Sequence, residues 1–321
     1  MKFIKHLSFF LIATLIPLNP HPIYSQNLNS IPSMFLERLQ KWDSVFVFKN
    51  IPYDIQIDKD SIRNQLDVYF KSTFASPKPI MLYIHGGGWN SGNKEFEPQK
   101  VRAILDSGFI FVSTNYRLSP NPVDLINQNR IKFPDHVRDV AKVFSFLMKF
   151  LPRIGGDTSK VCLIGHSAGG NIAITLGLMP QFLEEYKLDG SNIQCIINLD
   201  GAGINIPDFI KVINGNYRSW FLNAFGTTEA EQIKASPLHQ FPRDRILPPI
   251  LHIYQNTTIR ARFANQFADS ISYYYNYIEL LPVDRYDHSE ILTKFMDFSD
   301  YFSKEYTNRI FEFIRRFIKD K

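Results

Sequence analysis

Ser167 stands in the string Gly165-His166-Ser167-Ala168-Gly169-Gly170, a Gly-x-Ser-x-Gly pattern. The apolar run Val161-Cys162-Leu163-Ile164 precedes it, and the helix-forming Asn171-Ile172-Ala173-Ile174-Thr175-Leu176 follows. A strand, a sharp turn and a helix in that order lift a serine hydroxyl clear of the chain, as a nucleophile requires. Gly165 and Gly169 lack the Cβ atoms that so tight a turn would crowd. A second string, His85-Gly86-Gly87-Gly88-Trp89, follows the apolar run Ile80–Ile84. Its glycines let backbone N–H groups approach a reacting carbonyl and bind the oxyanion that nucleophilic attack creates. One string offers a nucleophile and the other stabilises the charge it would generate.

Both strings need a rigid frame, and the rest of the chain supplies its outline. Nearly continuous apolar runs, the mark of strands buried on both faces, occur at Ile80–Ile84, Phe109–Ser113, Val161–Ile164, Ile193–Leu199, Ile250–Tyr254 and Tyr277–Leu281. Helical patterns separate them at Glu97–Asp106, Asp135–Leu151, Asn171–Leu178, Arg262–Tyr274 and Tyr301–Ile318. Strands alternating with helices predict an α/β fold with a doubly wound, mostly parallel sheet. Ahead of these, Asn27–Asp43 reads as an entry segment with one short helix, and Ser44–Phe48, Ile51–Ile57 and Gln65–Phe70 as strands. Asp67-Val68-Tyr69-Phe70 alternates polar and apolar residues, as an exposed antiparallel edge would. The segment Gly203–Leu247 breaks the alternation and is expected to form a small helical cap insertion over the site.

The 321 residues, 45% hydrophobic and 21% charged, suit one large globular domain over 26–321. Met1-Lys2-Phe3-Ile4-Lys5 is basic, Leu7–Leu18 is almost wholly apolar, and Pro17, Pro20 and Pro22 break the run. This reads as a signal peptide over residues 1–25, too short to span a membrane, so the protein is expected to be exported, periplasmic or secreted. Losing Lys2 and Lys5 lowers the formal charge from +5 to +3. No block of Lys and Arg exceeds Arg315-Arg316, so nucleic acid is not an expected partner. Cys162 and Cys195 fall in buried strands and are expected to be free thiols. No Cys/His cluster has metal-ligand spacing, and neither metal nor organic cofactor is expected.

Together the two motifs resemble the α/β-hydrolase superfamily, and within it the His-Gly-Gly-Gly-Trp esterases: feruloyl- and acetylxylan-esterase-like, hormone-sensitive-lipase-like and kynurenine-formamidase-like enzymes. Asn115-Tyr116-Arg117-Leu118-Ser119, Phe133-Pro134 with Asp139, and Asp157-Thr158-Ser159-Lys160-Val161 extend the likeness, the last as the turn leading to the elbow. The likeness is dense from Asp67 to Leu178 and returns from Pro248 onward. It implies loop donors on the later glycines, so Gly87 and Gly88 join Ala168, which directly follows the nucleophile, as the oxyanion hole. Trp89 is expected to wall the substrate entrance. Trp220, Phe221 and Phe225 are candidates for either an acyl pocket or the cap's own core.

A serine hydroxyl is barely ionised at neutral pH and needs a base. His6 and His21 leave with the signal, His85 braces its loop, and His166 should point away from its neighbour. His136 opens a helix, His252 lies in a strand and His239 in the variable segment. His288 sits in the loop Tyr286-Asp287-His288-Ser289-Glu290 after the last strand, where this fold carries its base. The family's usual acid position falls on Thr258, which cannot serve. Asp200 ends the apolar strand Ile196-Ile197-Asn198-Leu199 before a glycine turn, a place where some members of the superfamily carry the acid. Asp200 is therefore the assigned acid, ahead of Asp284 and Asp287. The expected activity is hydrolysis of small acyl or aryl carboxylic esters through an acyl-enzyme. A formamidase-like amide hydrolase and a non-catalytic binding protein on the same fold are the alternatives.

Overall fold

The computed structural model describes residues 31–54, 61–71, 76–274 and 276–318, so the signal-like segment 1–25 lies outside the described residues. The chain lays down β1 (Leu39–Trp42), β2 (Val45–Pro52), β3 (Gln65–Lys71), β4 (Lys78–Ile84) and α1 (Pro98–Asp106). Then come β5 (Ile110–Thr114), α2 (Asp135–Phe150), β6 (Gly156–His166), α3 (Ala168–Leu178) and β7 (Ile193–Leu199). Four helices follow before the next strand: α4 (Ile206–Val212), α5 (Gly215–Phe225), α6 (Glu229–Ala235) and α7 (Pro237–Gln240). The chain closes with β8 (Ile250–Gln255), α8 (Thr258–Tyr273), β9 (Ile278–Val283) and α9 (Tyr301–Phe317).

These strands form one nine-stranded sheet in the order β1-β2-β3-β5-β4-β6-β7-β8-β9. From β5 to β9 every neighbour pairs in parallel, and β1, β2 and β3 add an antiparallel flank. The two-residue period of a strand divides its side chains between two cores. Ile80, Leu82, Ile84 and Leu163 join α2, α3 and the inserted helices on one face. Met81, Tyr83, Cys162 and Ile164 join α1 and α9 on the other. Helix α3 is apolar almost all round and buried along nearly its whole length, as a helix wedged between sheet and cap must be. Cys162 and Cys195 are aligned on adjacent strands as free, buried thiols.

Four expectations are corrected here. Strand β3 is no exposed edge: it lies between β2 and β5, and Asp67 is fully buried. Its carboxylate is satisfied by Lys94 at 2.9 Å and Lys49 at 2.8 Å. A buried ion pair produces the same polar–apolar alternation as a solvated face. Residues 45–52 make one strand rather than two, because a register irregularity between Phe48 and Ile51 absorbs the polar Lys49-Asn50. The entry segment contains strand β1 as well as a helical turn at Ser33–Leu36. Helix α8 also starts earlier than its apolar pattern suggests, since the Thr257 hydroxyl caps it by accepting from the Arg260 N–H.

The loop after β5 is tied to α2 by Arg117, which donates to Asp139 from Nε at 2.8 Å and Nη2 at 2.8 Å, and from its backbone N–H at 2.9 Å. Asp139 is fully buried, and without it Arg117 would keep only Asp135, at 3.4 Å, as an ion-pair partner. Asp139→Ala is expected to lower unfolding stability by about 3 kcal/mol, as breaking buried pairs does. Urea unfolding checks this, and a loss within about 0.5 kcal/mol of zero would show the pair to be dispensable.

Candidate active site

The turn between β6 and α3 holds Ser167 at φ 54°, ψ −119°, a backbone conformation that costs a non-glycine residue energy. Only glycine fits on either side: a Cβ on Gly165 would lie 2.2 Å from the Gly169 oxygen, and one on Gly169 would lie 2.1 Å from the Ile84 oxygen. The Ser167 N–H donates to the Leu199 carbonyl at 2.9 Å, extending the β6–β7 ladder one step past the strand. Ser167 precedes the first turn of α3, so the Ala168 N–H has no acceptor within the helix and faces outward.

The structure brings Ser167, His288 and Asp200 together although they lie far apart in the chain. Ser167 Oγ is 2.9 Å from His288 Nε2, and His288 Nδ1 is 2.7 Å from Asp200 Oδ2. A carboxylate accepting from Nδ1–H leaves Nε2 with its lone pair toward the serine hydroxyl, the tautomer a general base needs. Asp200 follows β7, as Ser167 follows β6, and its own φ is 55°. Its N–H donates to the Ile253 carbonyl at 2.8 Å, its Oδ1 accepts from the Gln255 N–H at 3.1 Å, and its carboxyl group is fully buried. The competing acids face elsewhere: Asp284 accepts from the Asn256 amide, and Asp287 accepts from the Ser289 and Glu290 N–H groups. Thr258 is simply the first residue of α8.

Sequence reasoning missed two supporting residues. Arg260, in the first turn of α8, donates from Nη1 to Asp200 Oδ1 at 2.7 Å and to the Asp200 carbonyl at 3.2 Å. Its only signal in the sequence is its place two residues after the vacant acid position. His166 does turn from the hydroxyl, yet it is not idle: Nε2 donates to the His288 carbonyl at 2.8 Å and the two rings lie 4.7 Å apart. It thereby anchors the loop that carries His288.

The glycine loop is held from beneath. The Gly87 carbonyl accepts from the Asn90 N–H, the Ser91 N–H and Ser91 Oγ, and the Tyr116 hydroxyl donates to the His85 carbonyl while its ring stacks on His85 at 4.4 Å. Gly88 and Ala168 line a cleft of about 420 Å³ together with Ser167, His288, Tyr217 and Trp220. Gly87 is placed one residue back from that lining. Trp89 borders the cleft but is only 3% exposed, wedged edge-on against Phe221 and Phe225 of the inserted helices. The indole at the rim is instead that of Trp220, 37% exposed and lying against Gly88. Phe221 and Phe225 therefore belong to the insertion's core. A separate cleft of about 490 Å³, lined by Leu176, Pro180, Ile193 and Pro249, opens at the amino ends of the strands and has no histidine in its lining.

Burial disfavours the charged form of the supporting histidines. It pushes His85, His166 and His252 down to about 4 and His136 to about 3. At neutral pH each serves as a neutral hydrogen-bonding or packing group. Among the described residues, no group of three or more His, Cys, Asp or Glu is arranged to hold a metal ion, and no helix is long and apolar enough to cross a membrane.

Residues 66–243 match the BD-FAE family model. The isoprenylcysteine alpha-carbonyl methylesterase of Arabidopsis thaliana is 30% identical over 206 residues, covering 62% of this chain and 45% of that protein. The chain spans about two fifths of the length of the curated relatives it matches. Esterase B from Lactobacillus rhamnosis superposes with a TM-score of 0.66 at 15% identity, over 92% of this chain and 95% of that one. Esterase 2 of Thermogutta terrifontis phosphonylated by sarin superposes with a TM-score of 0.63 at 20% identity, over 85% and 96%. These likenesses establish the α/β-hydrolase fold.

The four neutral histidines tie stability to pH. Each binds a proton more readily unfolded, near pH 6.5, than folded, near 3 to 4. Their contribution is therefore complete above about pH 6.5 and is lost as the pH falls toward about 4. Denaturant midpoints are expected to decline across that window, and the ring-proton NMR signals of these four residues are expected not to titrate above about pH 5. Titration of His136 or His252 near 6.5 in the folded protein would refute the assignment.

Proposed function

From the chain's membership of the BD-FAE family, an α/β-hydrolase esterase family, we infer that it is a serine hydrolase acting on small acyl or aryl carboxylic esters. The observation that carries this reading is the unbroken line from the Ser167 hydroxyl through the His288 imidazole to the Asp200 carboxylate, at 2.9 and 2.7 Å. Ser167 Oγ attacks the acyl carbon while His288 Nε2 takes its proton. The oxyanion of the tetrahedral intermediate accepts from the N–H groups of Ala168 and Gly88, with Gly87 beside them. His288 then gives the proton to the departing alcohol oxygen, leaving an acyl-serine. A water molecule, deprotonated by the same imidazole, attacks the acyl-serine and releases the acid. Asp200 keeps the ring in its working tautomer and offsets the charge it gains.

The cleft's walls, where Trp89, Tyr217 and Trp220 stand beside Gly88, Ala168 and Ala202, and its volume of about 420 Å³ favour a short acyl chain and an aryl or similarly flat alcohol. The phosphonylated Thermogutta terrifontis relative supports the covalent mechanism. Export belongs to the same reading and rests on the basic Met1–Lys5 and apolar Leu7–Leu18 run.

A fluorophosphonate probe is expected to label the wild type and not Ser167→Ala. Turnover of p-nitrophenyl acetate is expected to vanish in that variant, and to fall by about 10³- to 10⁴-fold in Asp200→Asn, which keeps the shape but spoils the tautomer. A folded wild type that neither labels nor hydrolyses short esters would eliminate the reading. In a panel of acyl chains, turnover is expected to drop from acetate and butyrate to dodecanoate. A preference for the longest chain would show that the cleft opens further than its walls allow.

A further inference from the structure

Arg260 brings a positive charge to a site whose chemistry, as described, does not call for one. Its guanidinium reaches the acid from α8, opposite the imidazole: Nη1 touches Asp200 Oδ1 at 2.7 Å and the Asp200 carbonyl at 3.2 Å, while Oδ2 receives His288 Nδ1 at 2.7 Å. The arginine side chain is 17% exposed and the aspartate side chain 0%. On its outer side the guanidinium borders the cleft with Tyr217 and Trp220. Asp200 needs such a partner, because a buried carboxylate with one imidazole partner leaves an oxygen dependent on the single N–H of Gln255 at 3.1 Å.

We propose that Arg260 is a positioning residue for the reaction, clamping Oδ1 and the main-chain carbonyl of Asp200 so that Oδ2 is aimed at His288. This deepens the serine-esterase reading and rests on it. The loop after β8 supplies no acid at Thr258, and α8 supplies the acid's counter-charge two residues later. Thr257 makes that possible, because its cap begins the helix early enough to turn Arg260 toward the sheet.

The groups facing the imidazole are Asp200 from the β7 end and His166 from the β6 end, and Arg260 of α8 bonds the far oxygen of Asp200. Both of its bonds to Asp200 leave from one nitrogen, so a lysine ammonium carries enough donors to replace them.

The experiment compares Arg260→Gln and Arg260→Lys with the full-length wild type on p-nitrophenyl acetate, with thermal unfolding as a check on folding. Arg260→Gln is expected to lose about tenfold or more in kcat with KM within about twofold. Arg260→Lys is expected to recover most of the rate. Wild-type kinetics in a folded Arg260→Gln would overturn the proposal. Equal losses in the lysine and glutamine variants would overturn it too, since the residue would then serve packing alone. Failure of the underlying reading looks different: the wild type itself would show no Ser167-dependent turnover.

Discussion

Asp200 carries a charge with no access to solvent, and the order of the site follows from how that charge is shared. A buried carboxylate must have its oxygens satisfied or be neutralised. Here one oxygen goes to His288, the other to Arg260 and the Gln255 N–H. Elements from three places along the chain must converge for this to happen: the end of β7, the start of α8 and the loop after β9. The imidazole's orientation toward Ser167 is a result of that convergence.

Parallel pairing makes the convergence possible. From β4 to β9 the carboxyl ends of the strands point the same way, so the glycine loop, Ser167, Asp200, Arg260 and His288 emerge along one edge of the sheet. The same edge collects backbone strain. Trp89, Ser167 and Asp200 all have positive φ without being glycine, at 61°, 54° and 55°. Each such residue costs about 1–3 kcal/mol, and the dense packing of β4, β6 and β7 is what holds them there.

Much of this was legible in the chain because it is written locally. Glycine spacing announces a turn, continuous apolar runs announce strands buried on both sides, and an aspartate at the end of such a run stands where ligands bind. Ser167 follows from those local signs, Asp200 and His288 rest also on the resemblance to the hydrolases, and the structure sets all three in one hydrogen-bonded line. What escaped was nonlocal. Asp67 alternates with apolar neighbours like a surface residue, and only Lys49 and Lys94, distant in sequence, reveal that it is buried. Arg260 is an unremarked helix residue until Asp200 is seen beside it. Trp89 was placed at the entrance, but Phe221 and Phe225 from the insertion cover it and leave Trp220 at the rim.

The amide of Ser167 bonds to Leu199 and that of Asp200 to Ile253, so both residues are the next rung of a strand pairing. They are attached to the most protected part of the molecule, whereas His288 hangs on the loop after β9 and is held there by the bond from His166 to its carbonyl. Local opening of that loop parts His288 from its partners while the central strands stay zipped. On the proposed reading, turnover is therefore expected to fade before the sheet itself unfolds.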